Sequence, residues 1–252
     1  MSKEVQKTNF PELSVKRIRF CTVDSDLQIN QLENILKKYR IAFILTEIIQ
    51  GEGGLNVASK LFVQNIRKLA NEHDVPLIFD EVQSGMGRTG KWWAYQHYGV
   101  EPDIMTVAKA LQVGATVYDK KYEPNESGVL SSTWGGGSRI DMAIGSKIIE
   151  TIIKKKLLLN SRKIGEILIK NFVDLIGING LIDVRGIGLM IGLEFETKMT
   201  RDNIVKRLFK KRLLVLPAGI KSIRIMPPLI ISEEVAAKGI SLIEDTVRHC
   251  SQ

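Results

Sequence analysis

Residues 77–114, LIFDEVQSGMGRTGKWWAYQHYGVEPDIMTVAKALQVG, decide how this chain is read. Two short apolar runs mark the stretch. VPLIF at 75–79 ends on Asp80, and IMTV at 104–107 runs into Lys109. Neither run alternates apolar with polar residues. Unbroken apolar strands are the pattern of a parallel sheet covered on both faces. A third such run, IAFILT at 41–46, stops at Glu47. Outside these runs the apolar period lengthens to about 3.6 residues, the helical value. Residues 28–40 place Ile29, Leu32, Ile35 and Leu36 on one face, and 59–73 turn Leu61, Phe62, Ile66 and Leu69 inward. The expected architecture is α/β, a mostly parallel sheet with flanking helices.

After about residue 139 the grammar changes. Long helices are expected at 139–156 and 158–177, a strand pair at 181–184 and 188–195, and a helix at 200–212. Short strands at 213–216 and 222–226 and a last helix at 232–249 complete a small α+β unit. The boundary is placed inside the long helix, giving a large domain over 1–150 and a small C-terminal domain over 151–252.

In an open parallel sheet, ligands bind beyond the carboxyl ends of the strands. Glu47, Asp80 and Lys109 each stand at or just past such an end. Singly, each has an ordinary explanation: a solvated loop lysine, or an aspartate that caps a helix or makes a turn. Together they line one crevice with two carboxylates and an amine. A lysine in a partly apolar pocket can lose its proton and act as a nucleophile or Schiff-base partner. A buried aspartate can hold a cationic ring nitrogen, and that pair of contacts is what pyridoxal phosphate requires. A competing pattern, G-x-G-x-x-G at Gly85–Gly90, follows a strand and offers a dinucleotide site. Against it, Trp92 and Trp93 stand where a phosphate-cradling helix begins with small residues, and no acidic residue ends the next strand.

The 252 residues are 44% hydrophobic and 25% charged, enough for a sizeable core and against wholesale disorder. No run of about 18 apolar residues predicts a membrane span. The start, MSKEVQKTNF, lacks the apolar region of a secretory signal. Cys21 and Cys250 make neither a disulfide framework nor a metal site, so a cytoplasmic protein without bound metal is expected. The net charge of +8 is spread along the chain, and Lys154–Lys156 closes a helix, where cations complement the dipole. No nucleic-acid partner is expected; the positive balance suits anionic small molecules.

These segments resemble the class III branch of the fold-type-I, pyridoxal-phosphate-dependent aminotransferases. The resemblance is carried by TEIIQGEGG (46–54), the 77–114 stretch, STWGGG (132–137), VRGIGLMIGLEF (184–195) and IRIMPPL (223–229), which lie in the family's order. FPELSVKRI near the start, Gln112-Val113 and Trp134 lean toward the L-lysine 6-aminotransferase group. The resemblance implies a homodimer with shared active sites and these roles. Lys109 would form the Schiff base with the cofactor and carry protons. Asp80 would salt-bridge the pyridine nitrogen. Val82, on the same strand face, would press on the ring, Gln83 would bond the phenolic oxygen, and Glu47 would support the site. Thr133 would reach the neighbouring subunit's cofactor phosphate. Glu52 would neutralise Arg224 for an ω-amine donor and swing away when the acceptor's carboxylate needs the guanidinium. Apart from the resemblance, Arg185 is read as structural, anchoring the turn into the small domain rather than binding substrate, and Trp92 and Trp93 as packing against the large domain.

The implied reaction moves the ω-amino group of L-lysine, or a related ω-amino acid, to 2-oxoglutarate. Alternatives are a 4-aminobutyrate-type donor, or a truncated, catalytically silent homologue. Ile48 stands where the family usually has proline. The family's chains are also longer. The turn that cradles the phosphate, the aromatic that stacks on the ring and the substrate-gating segment are expected upstream of residue 1.

Overall fold

The computed structural model describes residues 14–126 and 137–249. The first sheet holds β1 (Ile44–Glu47), β2 (Leu77–Asp80), β3 (Ile104–Val107) and β4 (Ala115–Tyr118), in that spatial order. The first three strands are parallel, and β4 returns antiparallel to β3. The sequence reading missed β4. Its ATVY residues are all exposed, so no buried apolar run announces it.

Helices α1 (Asp26–Lys38) and α2 (Lys60–Glu72) flank this sheet. The Ser59 hydroxyl accepts from the Phe62 N–H and starts α2. Phe62, Val63, Ile66, Leu69 and Ala70 of α2 then join Leu77 and Phe79 in one core, to which α1 adds Leu32 and Leu36. Leu61, expected inward, is exposed instead: the buried stripe runs through its neighbours Phe62 and Val63. The opposite sheet face is open among the described residues, with Leu45 56% exposed. Covering on both faces, as the apolar runs suggested, is therefore not what this chain's described residues provide.

The second sheet is wholly antiparallel. It contains β5 (Leu181–Ile187), β6 (Met190–Phe195), β7 (Leu216–Ala218) and β8 (Ser222–Ile225), ordered β5-β6-β8-β7. Helices α3 (Arg139–Lys154), α4 (Leu157–Val173), α5 (Lys198–Lys210) and α6 (Glu233–Arg248) accompany it. Ile164 and Phe172 of α4, Leu193 and Phe195 of β6, Ile204 of α5 and Ile243 of α6 lie in its core. The residue-150 boundary falls within α3. Lys156 does more than end a helix: its φ of +51° turns the chain from α3 into α4.

Two contacts lock the second sheet against the first. Gly188, in the β5–β6 turn, has φ of +58°, and a Cβ there would lie 2.6 Å from the Thr89 carbonyl carbon. From the other side, a Cβ on Gly165 of α4 would lie 2.3 Å from the Gly188 oxygen. The Leu189 N–H donates to the Arg88 oxygen at 2.9 Å across the same seam. The second contact is Arg185. It donates to the Gly54 oxygen at 2.6 Å and the Ser222 hydroxyl at 3.0 Å, and pairs with Asp183 and Glu194, each at 2.6 Å. This anchoring role agrees with the sequence expectation for Arg185.

At the amino end of β3, Asp103 ties three elements together. It accepts from the Leu77 N–H at 2.8 Å, from Arg67 of α2 at 2.7 Å and from Lys121 at 2.8 Å. Burial opposes its charge, but these donors outweigh that and hold its pKa down from 3.8 to about 2. A carboxyl depressed on folding adds stability that is present above its unfolded pKa and lost as pH falls through the folded one. The side chain is only 10% exposed, and a shift of this size corresponds to about 2 kcal/mol. Asp103→Asn is expected to lose about 2 kcal/mol in urea unfolding at pH 7. The deficit should shrink to a small fraction of that as the pH falls to about 2, the folded value. A deficit that is the same at both ends would assign it to packing.

Candidate active site

The register of the first sheet aligns the chemistry. Glu47 is the Cα partner of Asp80, and Asp80 is the partner of Thr106. The three therefore share a row and a face at the carboxyl end of the sheet. Asp80 Oδ1 accepts from the Thr106 hydroxyl at 3.2 Å and from the Val82 N–H at 3.0 Å. Sequence reading missed Thr106; its signal was its place three residues before Lys109 in a strand that runs beside Asp80.

The Val82 contact corrects an expectation. β2 ends at Asp80, and the aspartate side chain captures the N–H two residues on, as Asp does in turns. Val82 thus lies half-buried in a turn and is not on the strand face. Glu81, between them, is buried on its own hydrogen bonds from the Ser84 hydroxyl and the Tyr95 N–H. Burial pushes its carboxyl up, and its partners make it a scaffold residue.

Glu47 accepts from the Gly51 N–H at 2.8 Å. Burial raises its pKa; the Asp80 charge adds to this, while that hydrogen bond and Lys109 oppose it. Beyond β3 the chain twists sharply. Lys109 has φ of +45° and opens a 3₁₀ turn, Lys109–Leu111, which closes on Gln112 at φ of +64°. Left-handed backbone at a non-glycine residue is costly and concentrates at functional sites. The Gln112 amide donates to the Lys109 oxygen at 2.9 Å, so Gln112, read above as a substrate cue, caps the turn that presents the lysine.

From the second sheet, Arg224 of β8 forms an ion pair with Glu52. Arg224 is 12% exposed and Glu52 76%, so the arginine lies within the protein and the glutamate reaches it from the solvent side. The Arg224 hydrogen bond is the main reason that the Glu52 carboxyl sits below its ordinary range. With its carbonyl oxygen turned toward the two cations, Gln83 accepts from Lys109 Nζ at 3.3 Å and from Arg224 at 2.8 Å. Lys109, Gln83, Arg224 and Glu52 are thus one connected group, with Glu47 and Asp80 on the adjacent strand ends. Thr133 and Trp134 lie outside the described residues.

This donor set fits pyridoxal phosphate. Among the described residues no group donates to Asp80 Oδ2, which leaves a carboxylate oxygen for a cationic ring nitrogen, and the Lys109 amine is exposed one strand away. The dinucleotide alternative finds no support, because Gly85–Gly90 forms turns that lead only to a short 3₁₀ helix, Ala94–His97, with no phosphate-cradling α-helix. Trp92 and Trp93 pack around Met86, Ile152 and Leu157. Among the described residues no helix is long and apolar enough to cross a membrane.

Comparison with known proteins agrees with this geometry. An acetylornithine aminotransferase from Prochlorococcus marinus is 42% identical over 219 residues, which is 83% of this chain and 52% of that protein. One from Methanocaldococcus jannaschii is 39% identical over 203 residues, 77% of this chain and 50% of its own length. The chain therefore spans about half the length of such relatives. The structure of lysine aminotransferase from M. tuberculosis superposes with a TM-score of 0.88 at 29% identity, covering 98% of this chain and 61% of that one. Residues 3–247 match the family described as aminotransferase class-III, and the chain belongs to that pyridoxal-phosphate-dependent family.

Proposed function

We propose that this chain carries the reaction centre of an ω-aminotransferase that moves a terminal amine to 2-oxoglutarate. The observation that carries the reading is the closed Glu52–Arg224 pair joined through Gln83 to Lys109. Pyridoxal phosphate, when bound, supplies the electron sink for chemistry at the amine-bearing carbon. Asp80 would hold the cationic ring nitrogen, Gln83 would bond the phenolic oxygen, Val82 and Glu47 would border the ring, and Lys109 would anchor the cofactor and move the proton. The resemblance implies that Thr133 of a neighbouring subunit would reach the phosphate, which supports a homodimer as the working form. The cysteine content supports a cytoplasmic setting, and the large and small domains divide near residue 150.

The pair explains how one pocket serves two substrates. An ω-amino donor presents no carboxylate beside its reacting carbon, so the guanidinium is best neutralised by Glu52. The 2-oxoglutarate acceptor does present one, and a planar bidentate contact with Arg224 suits it once Glu52 moves out. L-lysine is the donor we assign, supported by the likeness to the M. tuberculosis enzyme over 98% of the chain. The 42% identity to an acetylornithine aminotransferase favours N-acetylornithine as a second reading. Initial rates with L-lysine, N-acetylornithine and 4-aminobutyrate, each with 2-oxoglutarate, decide the matter. L-lysine is expected to be fastest and 4-aminobutyrate slowest. N-acetylornithine ahead of L-lysine establishes the second reading, and 4-aminobutyrate in front overturns both.

A further inference from the structure

Lys109 follows a strand of the first sheet and Arg224 lies on the second, and one side chain touches both. The Gln83 carbonyl oxygen is shared between Lys109 Nζ at 3.3 Å and Arg224 at 2.8 Å. Room for this arrangement exists because residue 51 is glycine. A Cβ there would lie 1.4 Å from a terminal carboxamide atom of Gln83 and 2.5 Å from its Cδ. The Gly51 N–H is itself held by Glu47 at 2.8 Å, so the backbone below Gln83 is fixed to the end of β1.

We propose that Gln83 is a positioning residue that couples the Glu52–Arg224 pair to Lys109, and that Gly51 holds its seat. The proposal rests on the reading of Lys109 as the reacting amine. One oxygen serves two cations, and the share of each depends on what else they bind. While Glu52 grips Arg224, the guanidinium has an anionic partner and the oxygen remains available to Lys109. When Glu52 releases Arg224, the guanidinium draws more strongly on the remaining acceptor. Lys109 then loses its hydrogen bond. The state of the substrate-sorting pair reaches the amine through a side chain, in addition to any field acting through space.

The test reads Lys109 directly in purified, cofactor-free protein. Its rate of acylation by an amine-selective reagent is followed at fixed pH by peptide mass spectrometry. In the native background, Glu52→Gln is expected to raise the rate about threefold, the scale of one lost hydrogen bond. In a Gln83→Ala background the same substitution should change it by less than about 1.5-fold, because the coupling is gone. An equal fold-change in both backgrounds overturns the proposal and leaves only through-space coupling. Gly51→Ala should abolish the coupling as Gln83→Ala does, because the new methyl displaces the carboxamide from its place. If Glu52→Gln changes the labelling rate as much in the Gly51→Ala background as in the native one, the seat assigned to Gly51 is wrong. Labelling needs no bound cofactor, so this readout stands or falls separately from amine transfer.

Discussion

Lys109→Ala is expected to reduce amine transfer by on the order of 10⁴-fold or more, while leaving the melting temperature close to that of the native protein. The size follows from the lack of a substitute. Glu47, Asp80 and Thr106 fill the row at the strand ends with acceptors and a hydroxyl, and Arg224 is held by Glu52 and Gln83. An arginine cannot deprotonate to serve as nucleophile or proton carrier. Lys109→Arg should therefore be as inactive as the alanine variant, although it retains the positive charge. Pyridoxal phosphate fixed by borohydride reduction should be found on residue 109 of the native protein and on neither variant. Residual transfer within tenfold of native in Lys109→Arg would mean that the charge alone matters, and the assignment of Lys109 would fall. Stability should change little because the side chain is exposed and begins a turn whose main-chain bonds do not depend on it.

Gly188→Ala is expected to destabilise the protein by about 3 kcal/mol or more, lowering the melting temperature by roughly 6–12 °C for a chain of this size. Two costs combine. The φ of +58° disfavours any side chain, and the added Cβ would meet three backbone atoms: Thr89 C at 2.6 Å, Thr89 Cα at 2.8 Å and the Arg88 oxygen at 2.9 Å. Backbone cannot rotate out of the way as a side chain can. Gly99→Ala separates the two costs, because Gly99 has φ of +70° with nothing within 4 Å of a Cβ. It should lose only about 1 kcal/mol. Equal losses at the two positions would show that the seam between the sheets yields to the methyl group. The same clash should loosen the site, since it pushes apart the sheets that carry Asp80 and Arg224.

Local patterns made the strand ends legible. Glu47, Asp80 and Lys109 were found because short apolar runs stop there, and a strand that ends in a charge shows itself without knowledge of its neighbours. Helices α1 to α6 were legible from their 3.6-residue period; α3 starts at Arg139 as expected, whereas α5 starts two residues early, where the Thr197 cap sets its first turn. Relations between distant segments were not legible. Glu52 and Arg224 entered only through family resemblance, because no periodicity links positions 172 residues apart. Asp103 carries no signal in the sequence, because its partners Leu77, Arg67 and Lys121 are brought to it only by the fold. Val82 was misplaced because extrapolation of a strand by two residues ignored the capture of its N–H by Asp80. Gly51 was invisible as a positioning residue, since the signal is the absence of a side chain where Gln83 lies.

The separation of Glu52 from Arg224 has a consequence for how the protein comes into being. At common synthesis rates a ribosome needs roughly 10–30 s to add the 172 residues between them. During that interval the 51–54 loop has already emerged, but its supports have not: Arg185, which binds the Gly54 oxygen, and Gly219, whose N–H donates to the Glu52 oxygen at 2.8 Å. The loop to which we assign substrate sorting is thus among the last parts to gain its final shape. Any nascent or prematurely terminated chain lacking β8 presents the lysine and the aspartate without Arg224, the residue we propose to tell carboxylate from amine.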